Sequence, residues 1–581
     1  MWARLAGVLA LLATPLLGQQ ATDAVAPEWG QAPVAPVTQV QAAQYMVVAA
    51  HPLAAQAGAD VLARGGTAAD AMVAVQAVLG LVEPQSSGLG GGAFLLWFDA
   101  ASGQITTLDG RETAPLAATP RLFQHPDGTP MGFFDAVVGG RSVGVPGTPA
   151  LLAEAHRRWG RADWAGLFAP AITLAEDGFS VSPRLAAAVA RDAARLASQP
   201  ATARYFLPGG QPLAVGDMLK NPAYAASLRA LASEGPAPFY TGTIARDIVE
   251  AVQGASPAGV LAPLDLAIYR VKERAPICTP YRGHQICGMG PPSSGALAVG
   301  QILGTLAHGP ALPPPDDLQA WRLLGDASRL AFADRGRYVA DADFVPVPAE
   351  GLLAPDYLQG RAQLLEGNRA LAPDQVQPGQ PRFQHSLNRA DDRALELPST
   401  THISIVDGYG NALSMTSTIE NGFGSRVMVR GFLLNNELTD FSFRSHQDGR
   451  AIANAVAPGK RPRSSMAPTI VLRGGVPVLV LGSPGGSRII PFVANTLVTM
   501  LDWGMGPAQA VAMPHMLNRF GTFELEQGTA AETMAGPLQA LGYQVKIAPL
   551  NSGLHVIARS PDGGAWLGAA DPRREGQAIG H

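Results

Sequence analysis

Between about residues 367 and 399 the chain is dominated by Pro, Gln, Asp and Arg and shows no apolar periodicity; directly after it, Ser399-Thr400-Thr401 opens a β-patterned run. A segment of that composition buries too little apolar surface to offset the entropy of ordering it, so it is expected to be an exposed, mobile linker. The chain beyond Thr400 has the opposite character: 401–406, 412–417, 432–434, 470–472 and 476–481 all read as strands. Any fold for this chain must place a hydroxyl-bearing residue at the mouth of a strand, beside a loose connection.

The turn cluster Asp407-Gly408-Tyr409-Gly410-Asn411 joins the first two of those strands. Centred on Tyr409, it sets Thr400 opposite Thr418, with 402/416, 404/414 and 406/412 between them on the same side. Cross-strand neighbours lie about 5 Å apart, within reach of hydroxyl–hydroxyl interaction. A threonine at a strand's first residue, with a second hydroxyl to orient it, suits an N-terminal nucleophile. Its free α-amine, with an ordinary pKa of about 7.7–8.0, would act as general base for the hydroxyl of the same residue. The plainer reading is that Thr is common in strands.

Ahead of residue 367 the pattern is a short apolar strand near 47, helices over 51–64 and 68–81 broken at Gly65-Gly66, a Gly-rich stretch 88–92, and a buried strand over 93–98. Residues 148–260 have helical spacing punctuated by Pro, and 316–340 reads as a long helix with Asp316 or Asp317 as cap. Hydrophobic residues make up 47% and charged residues 15%, against about 25% charged in an average soluble domain. A large core is therefore expected, and a disordered or fibrous chain is excluded. A net charge of −4 argues against a nucleic-acid-binding surface; with only four lysines, Arg supplies almost all the positive charge.

Arg4 followed by an apolar run over 5–18 and small residues to Ala24 reads as an export signal, residues 1–24, with a soluble periplasmic or secreted product and no membrane anchor. In that compartment a disulfide between Cys278 and Cys287 is allowed, since a turn at Arg282-Gly283 sets the two opposite each other; two free thiols are the alternative. No metal or organic cofactor is indicated: the eleven histidines have no ligand spacing, His402 reads as a strand residue, and Gly88–Gly92 lacks the Lys-Ser/Thr of a phosphate loop. Gly140-Arg141-Ser142-Val143-Gly144 fits a serine-hydrolase nucleophile elbow, but Pro146-Gly147 interrupts the strand–turn–helix it needs.

Several ordered motifs carry a resemblance to a known family. They are Gly90-Gly91-Gly92, Arg111-Glu112-Thr113-Ala114-Pro115, Gly144-Val145-Pro146-Gly147, Pro291-Pro292-Ser293-Ser294-Gly295, Ala333-Asp334-Arg335, the run Thr400 to Asp407, Leu434-Asn435-Asn436, Asp440-Phe441, Lys460 to Thr469, and Gly482 to Arg488. From about 45 to 575 the chain resembles the gamma-glutamyltransferase family. The resemblance implies a four-layer αββα N-terminal-nucleophile hydrolase, formed jointly by a large subunit (25–399, with the linker 367–399) and a small one (400–581) after self-cleavage between Ser399 and Thr400. It implies transfer of γ-glutamyl groups, as from glutathione, to an amine or to water through an acyl-threonine. Thr400 matches the nucleophile, Thr418 the supporting hydroxyl, and Gly485 and Gly486 the oxyanion-hole amides. Arg111, Ser464 and Ser465 match the residues that hold the substrate α-carboxylate, and Glu437 and Asp440 those that bind its α-ammonium. The chain departs from the family in two places: Glu420 stands where Asn is usual, and 442–453 is shorter than in members with a lid over the pocket. Within the family, glutaryl-type cephalosporin acylases are the alternative activity.

Overall fold

The hairpin around Tyr409 forms in the register that its turn dictates, pairing 402 with 416, 404 with 414 and 406 with 412. It lies inside a seven-stranded antiparallel sheet of the computed structural model, which describes residues 37–392, 394 and 399–581. The export signal expected at 1–24 lies outside the described residues. The strand Thr401–Val406 is flanked by Met46–Ala49, and Ala412–Thr418 by Gly92–Asp99. Gln577–Gly580 closes one side; Gln104–Gly110 and Lys272–Arg274 close the other. Segments from before and after residue 400 thus alternate in one sheet, so a cut before Thr400 would leave both pieces bonded along their strands.

Side-chain alternation divides the environment of this sheet. Ile403, Ile405, Leu413 and Met415 enter a core with the helices Pro52–Ala63 and Ala68–Val82. Val406, Ala412, Phe94, Leu96 and Phe98 face the other way, into a core shared with a second seven-stranded antiparallel sheet. That sheet runs Val40–Ala42, Trp566–Ala570, His555–Arg559, Val476–Gly482, Thr469–Arg473, His284–Gly288, Ile277–Tyr281, and is covered by the helices Gly295–His308, Leu318–Tyr338 and Ile489–Leu501. The layers are α, β, β, α, as the family resemblance implied. A one-residue slip would turn each apolar set to the wrong layer; at about 1.5–3 kcal/mol per buried large aliphatic or aromatic side chain, that fixes the register.

The inner face next to Thr400 is polar and hydrogen-bonded. His402 Nδ1 contacts Thr416 Oγ1 at 2.8 Å, Ser404 donates to the His555 carbonyl at 3.1 Å, and Ser414 to that of Leu481 at 3.1 Å. Burial, and then His555, hold the His402 pKa well below its usual value, so it is a neutral structural residue. Helix boundaries follow the local signals: Gly65 (φ 85°) breaks the first pair, Thr67 and Asp70 form a capping box, and Asp317 caps Leu318–Tyr338 through the Gln319 amide at 2.8 Å.

Two expectations are sharpened. Cys278 and Cys287 are disulfide-bonded across the turn at Arg282-Gly283, directly opposite in register. The linker has no helix or strand among its described residues and many of them are exposed, as expected, yet several are bonded to the body. The Gly379 amide donates to Asp334 at 2.8 Å, Ala390 pairs with the Ala451 carbonyl at 3.0 Å, and Asp392 binds Arg463 at 2.8 Å. Polar groups on the neighbouring elements thus supply the ordering that the segment's own composition lacks. Among the described residues no helix is long and apolar enough to cross a membrane.

Candidate active site

Thr400 immediately precedes its strand and Thr418 ends the next, so the hairpin register brings their hydroxyls to 3.2 Å. In this uncut chain Thr400 Oγ1 also lies 2.5 Å from the carbonyl oxygen of Ser399, to which Thr418 Oγ1 donates at 3.0 Å. The Glu420 amide donates to Thr418 Oγ1 at 2.9 Å, which leaves the Thr418 proton for the carbonyl. Glycine makes this approach sterically accessible: a Cβ on Gly91 would stand 2.0 Å from the Thr418 carbonyl oxygen.

A small cavity opens from the two threonines. It is lined by Arg111, Thr400, Thr418, Glu420, Glu437, Asp440, Ser464, Ser465, Met466, Gly486 and Ile489. Of the residues given catalytic or substrate-binding roles from the sequence, only Gly485 is outside this lining; it precedes Gly486 in the turn that starts the helix Ile489–Leu501, with φ 137°. A Cβ at Gly485 would meet the Phe492 ring at 2.9 Å. The partial positive charge at a helix N-terminus is therefore directed at this end of the cavity.

Elsewhere in the lining the charges are mixed. Arg111 is 1% exposed, donating through Nη1 to Glu437, through Nη2 to Asp440 and to the Arg463 carbonyl at 3.0 Å, and through Nε to the Pro462 carbonyl at 3.2 Å. Burial opposes its charge, but the Glu437 and Asp440 carboxylates outweigh that and raise its pKa further. Glu420 lines the cavity, accepts a bond from Asn436 Nδ2, and has φ 74°, a left-handed conformation uncommon for a residue with a side chain. Ser465 Oγ accepts from Arg335 at 2.7 Å and Ser464 Oγ from the Met466 amide at 3.1 Å.

Residues not assigned from the sequence also matter here. Arg574 donates to the Thr400 carbonyl at 2.9 Å and to that of Ser552 at 2.7 Å, holding the Thr400 backbone. Glu112, fully buried behind Arg111, sits inside a motif the sequence had singled out without giving it a role. The short 442–453 segment forms a small hairpin, His446–Gln447 with Arg450–Ala451, and contributes nothing to the lining among the described residues. Among the described residues no cluster suited to a metal is present. Ser142 is buried and donates to the Val137 carbonyl at 2.6 Å, and the helix after it begins only at Thr148. Ser142→Ala should cost about 1 kcal/mol of stability and leave turnover unchanged; a loss of turnover measured on folded protein would restore the elbow reading.

The gamma-glutamyltranspeptidase family model matches residues 54–581. The chain is 38% identical over 548 residues to the glutathione hydrolase proenzyme of Bacillus subtilis strain 168, covering 92% of this chain and 91% of that one. It is 36% identical over 545 residues to the protein of the same name from Escherichia coli K12, with 92% and 91% covered. Among solved structures it is similar to the cephalosporin acylase from Bacillus halodurans, with a TM-score of 0.81 at 26% identity over 94% of this chain and 97% of that one.

Proposed function

Because the chain belongs to the gamma-glutamyltranspeptidase family, we propose that Thr400, freed by self-cleavage after Ser399, attacks the γ-amide carbonyl of γ-glutamyl compounds such as glutathione. The protein is an N-terminal-nucleophile hydrolase of the γ-glutamyl hydrolase/transferase type, made as a proenzyme. The observation that carries the substrate reading is the cavity's charge layout. The Thr400 and Thr418 hydroxyls line the same cavity as Arg111, which is interleaved with Glu437 and Asp440. A zwitterionic α-amino-acid head group can enter such a cluster by exchanging partners, its carboxylate on Arg111 with Ser464 and Ser465, its ammonium on Glu437, Asp440 and Glu420. The head group brings one charge of each sign, so it enters without adding net charge to the cluster.

Self-cleavage uses the same hydroxyls. Thr400 Oγ1 attacks the Ser399 carbonyl carbon as its proton passes to the amide nitrogen, the C–N bond breaks to free the α-amine of Thr400, and water hydrolyses the resulting ester, leaving the Ser399 carboxylate and the free Thr400 hydroxyl. The Thr418 hydroxyl meets the charge developing on the carbonyl oxygen. In the mature enzyme that amine takes the Thr400 proton, and the Gly485 and Gly486 amides at the helix start receive the oxyanion of the acylation step. An amine or water then resolves the acyl-threonine. With no 442–453 residue over the cavity, water has access, which favours hydrolysis. The two subunits remain one heterodimer in the periplasm or outside the cell.

The likeness to the cephalosporin acylase supports glutaryl cleavage as the second reading. A glutaryl group brings a carboxylate but no ammonium, into a site that already holds Glu420, Glu437 and Asp440. We expect a γ-glutamyl anilide to be cleaved at least about tenfold faster in kcat/KM than its glutaryl analogue, a margin of about 1.4 kcal/mol. Faster release of the anilide from the glutaryl compound would reverse the assignment.

A further inference from the structure

One guanidinium serves a crowd of acids. Arg111 bonds Glu437 and Asp440, and Glu112 lies 4.0 Å from its Nη1. Glu112 is 0% exposed and Glu437 1%. Among the described residues neither Glu112 oxygen has a hydrogen-bond partner and Glu437 Oε2 has none, yet both carboxyl groups crowd one atom, Arg111 Nη1, to which Glu437 is bonded and from which Glu112 lies 4.0 Å. Two carboxylates offer only acceptors to one another. Such crowding holds in a dry site only with a proton between them, because two like charges that close cannot both persist. We propose that Glu112 and Glu437 share one proton in the empty site, and that docking of a substrate α-ammonium expels it to solvent. Glu112 is thereby a positioning residue, acting through Glu437.

The surroundings fit this assignment. Arg111 and Asp440 face the pair from one side and Glu420 adds like charge near Glu437. Behind Glu112 stand the phenols of Tyr240 and Tyr269, both kept neutral by burial; their protons are committed to the carbonyls of Pro146 at 3.0 Å and Arg111 at 2.8 Å. Neither can satisfy the pair. Burial pushes Glu112 up to about 7 and Glu437 well above the carboxylate range, against the pull of Arg111. The pair therefore holds its proton below about pH 7. A cation beside Glu437 stabilises the fully ionised form, so affinity for an ammonium rises with pH up to that point and is level above it.

The shared proton matters to catalysis only if the γ-glutamyl reading holds, and one set of measurements separates the two. The processed enzyme is titrated calorimetrically with L-glutamate at about pH 6, in two buffers of different ionisation enthalpy. The wild type should release up to one proton per glutamate, and its affinity should tighten by up to about tenfold per unit between roughly pH 5 and 7. Glu112→Gln, whose amide donates permanently to Glu437, should release none and show a level profile; equal release from both proteins overturns the proposal. Infrared spectra of the ligand-free proteins provide the second arm. The carbonyl band of a protonated carboxylic acid should be present in the wild type and missing in Glu112→Gln, and identical spectra also overturn the proposal. Should L-glutamate fail to bind while the band difference is seen, the γ-glutamyl reading falls and the shared proton stands. Should Glu112→Gln not fold, the wild type decides alone: a carboxylic-acid band that titrates near pH 7 supports the pair, and its absence overturns it.

Discussion

Thr400→Ala should accumulate as one uncut chain with no measurable turnover, whereas the wild type should yield two fragments, the smaller beginning at Thr400. The reason is that one atom, Thr400 Oγ1, is placed for both reactions. In the uncut chain it lies 2.5 Å from the Ser399 carbonyl oxygen, with Thr418 on the same carbonyl. After cleavage the same oxygen opens on the cavity that holds Arg111, Glu437 and Asp440. Loss of a nucleophile of this kind removes roughly 10⁴-fold or more of the rate, and here the variant would also never gain its α-amine base. Because Thr400 is nearly buried and alanine keeps its Cβ, the variant should fold and unfold at close to the wild-type temperature. Thr400→Ser, which keeps the hydroxyl, should still process, more slowly. Denaturing electrophoresis with N-terminal sequencing checks all three; a Thr400→Ala chain that still splits at this junction would place the nucleophile elsewhere.

The central hairpin was legible because a five-residue turn cluster and a two-residue side-chain period leave one register that buries Ile403, Ile405, Leu413 and Met415 together. The cysteine pairing was legible for the same reason, as local geometry across a short turn. The charge cluster was different. Arg111 and Glu437 are 326 positions apart, and Arg574 meets Thr400 across 174. No periodicity links such residues, and their roles came from motif resemblance or not at all. Glu112 illustrates the limit: inside a quoted motif, it acquires meaning only when the fold sets its carboxyl against that of Glu437. Composition misleads in part over 367–399, because it reports what a segment can bury by itself. It does not report that Asp334, Arg463 and the Ala451 carbonyl wait to bond its backbone and side chains.

Arg111→Lys keeps the charge of the clamp and removes its shape, and we expect it to raise the donor KM by about 10²-fold with a much smaller change in kcat. The guanidinium makes four directed bonds at once, to Glu437, Asp440 and the carbonyls of Arg463 and Pro462. An ammonium has three donors on one nitrogen and cannot reach along both arms of that fork. At least one buried acceptor is left without a donor, at about 1–3 kcal/mol, and the planar two-bond grip on an incoming α-carboxylate is lost. The effect should fall on binding because the role proposed for Arg111 is to hold the head group, where no bond changes. Arg111→Gln is the harsher case: with the cation gone, Glu437 and Asp440 are buried without compensation, and removing one partner of such a cluster costs about 3–5 kcal/mol. It should lower the unfolding temperature as well as abolish donor binding. Steady-state kinetics with a γ-glutamyl anilide, read beside thermal unfolding, distinguishes the two variants. If Arg111→Lys raises KM by less than a factor of a few, the guanidinium serves the fold rather than the substrate, and the α-carboxylate must be held by Ser464 and Ser465 alone.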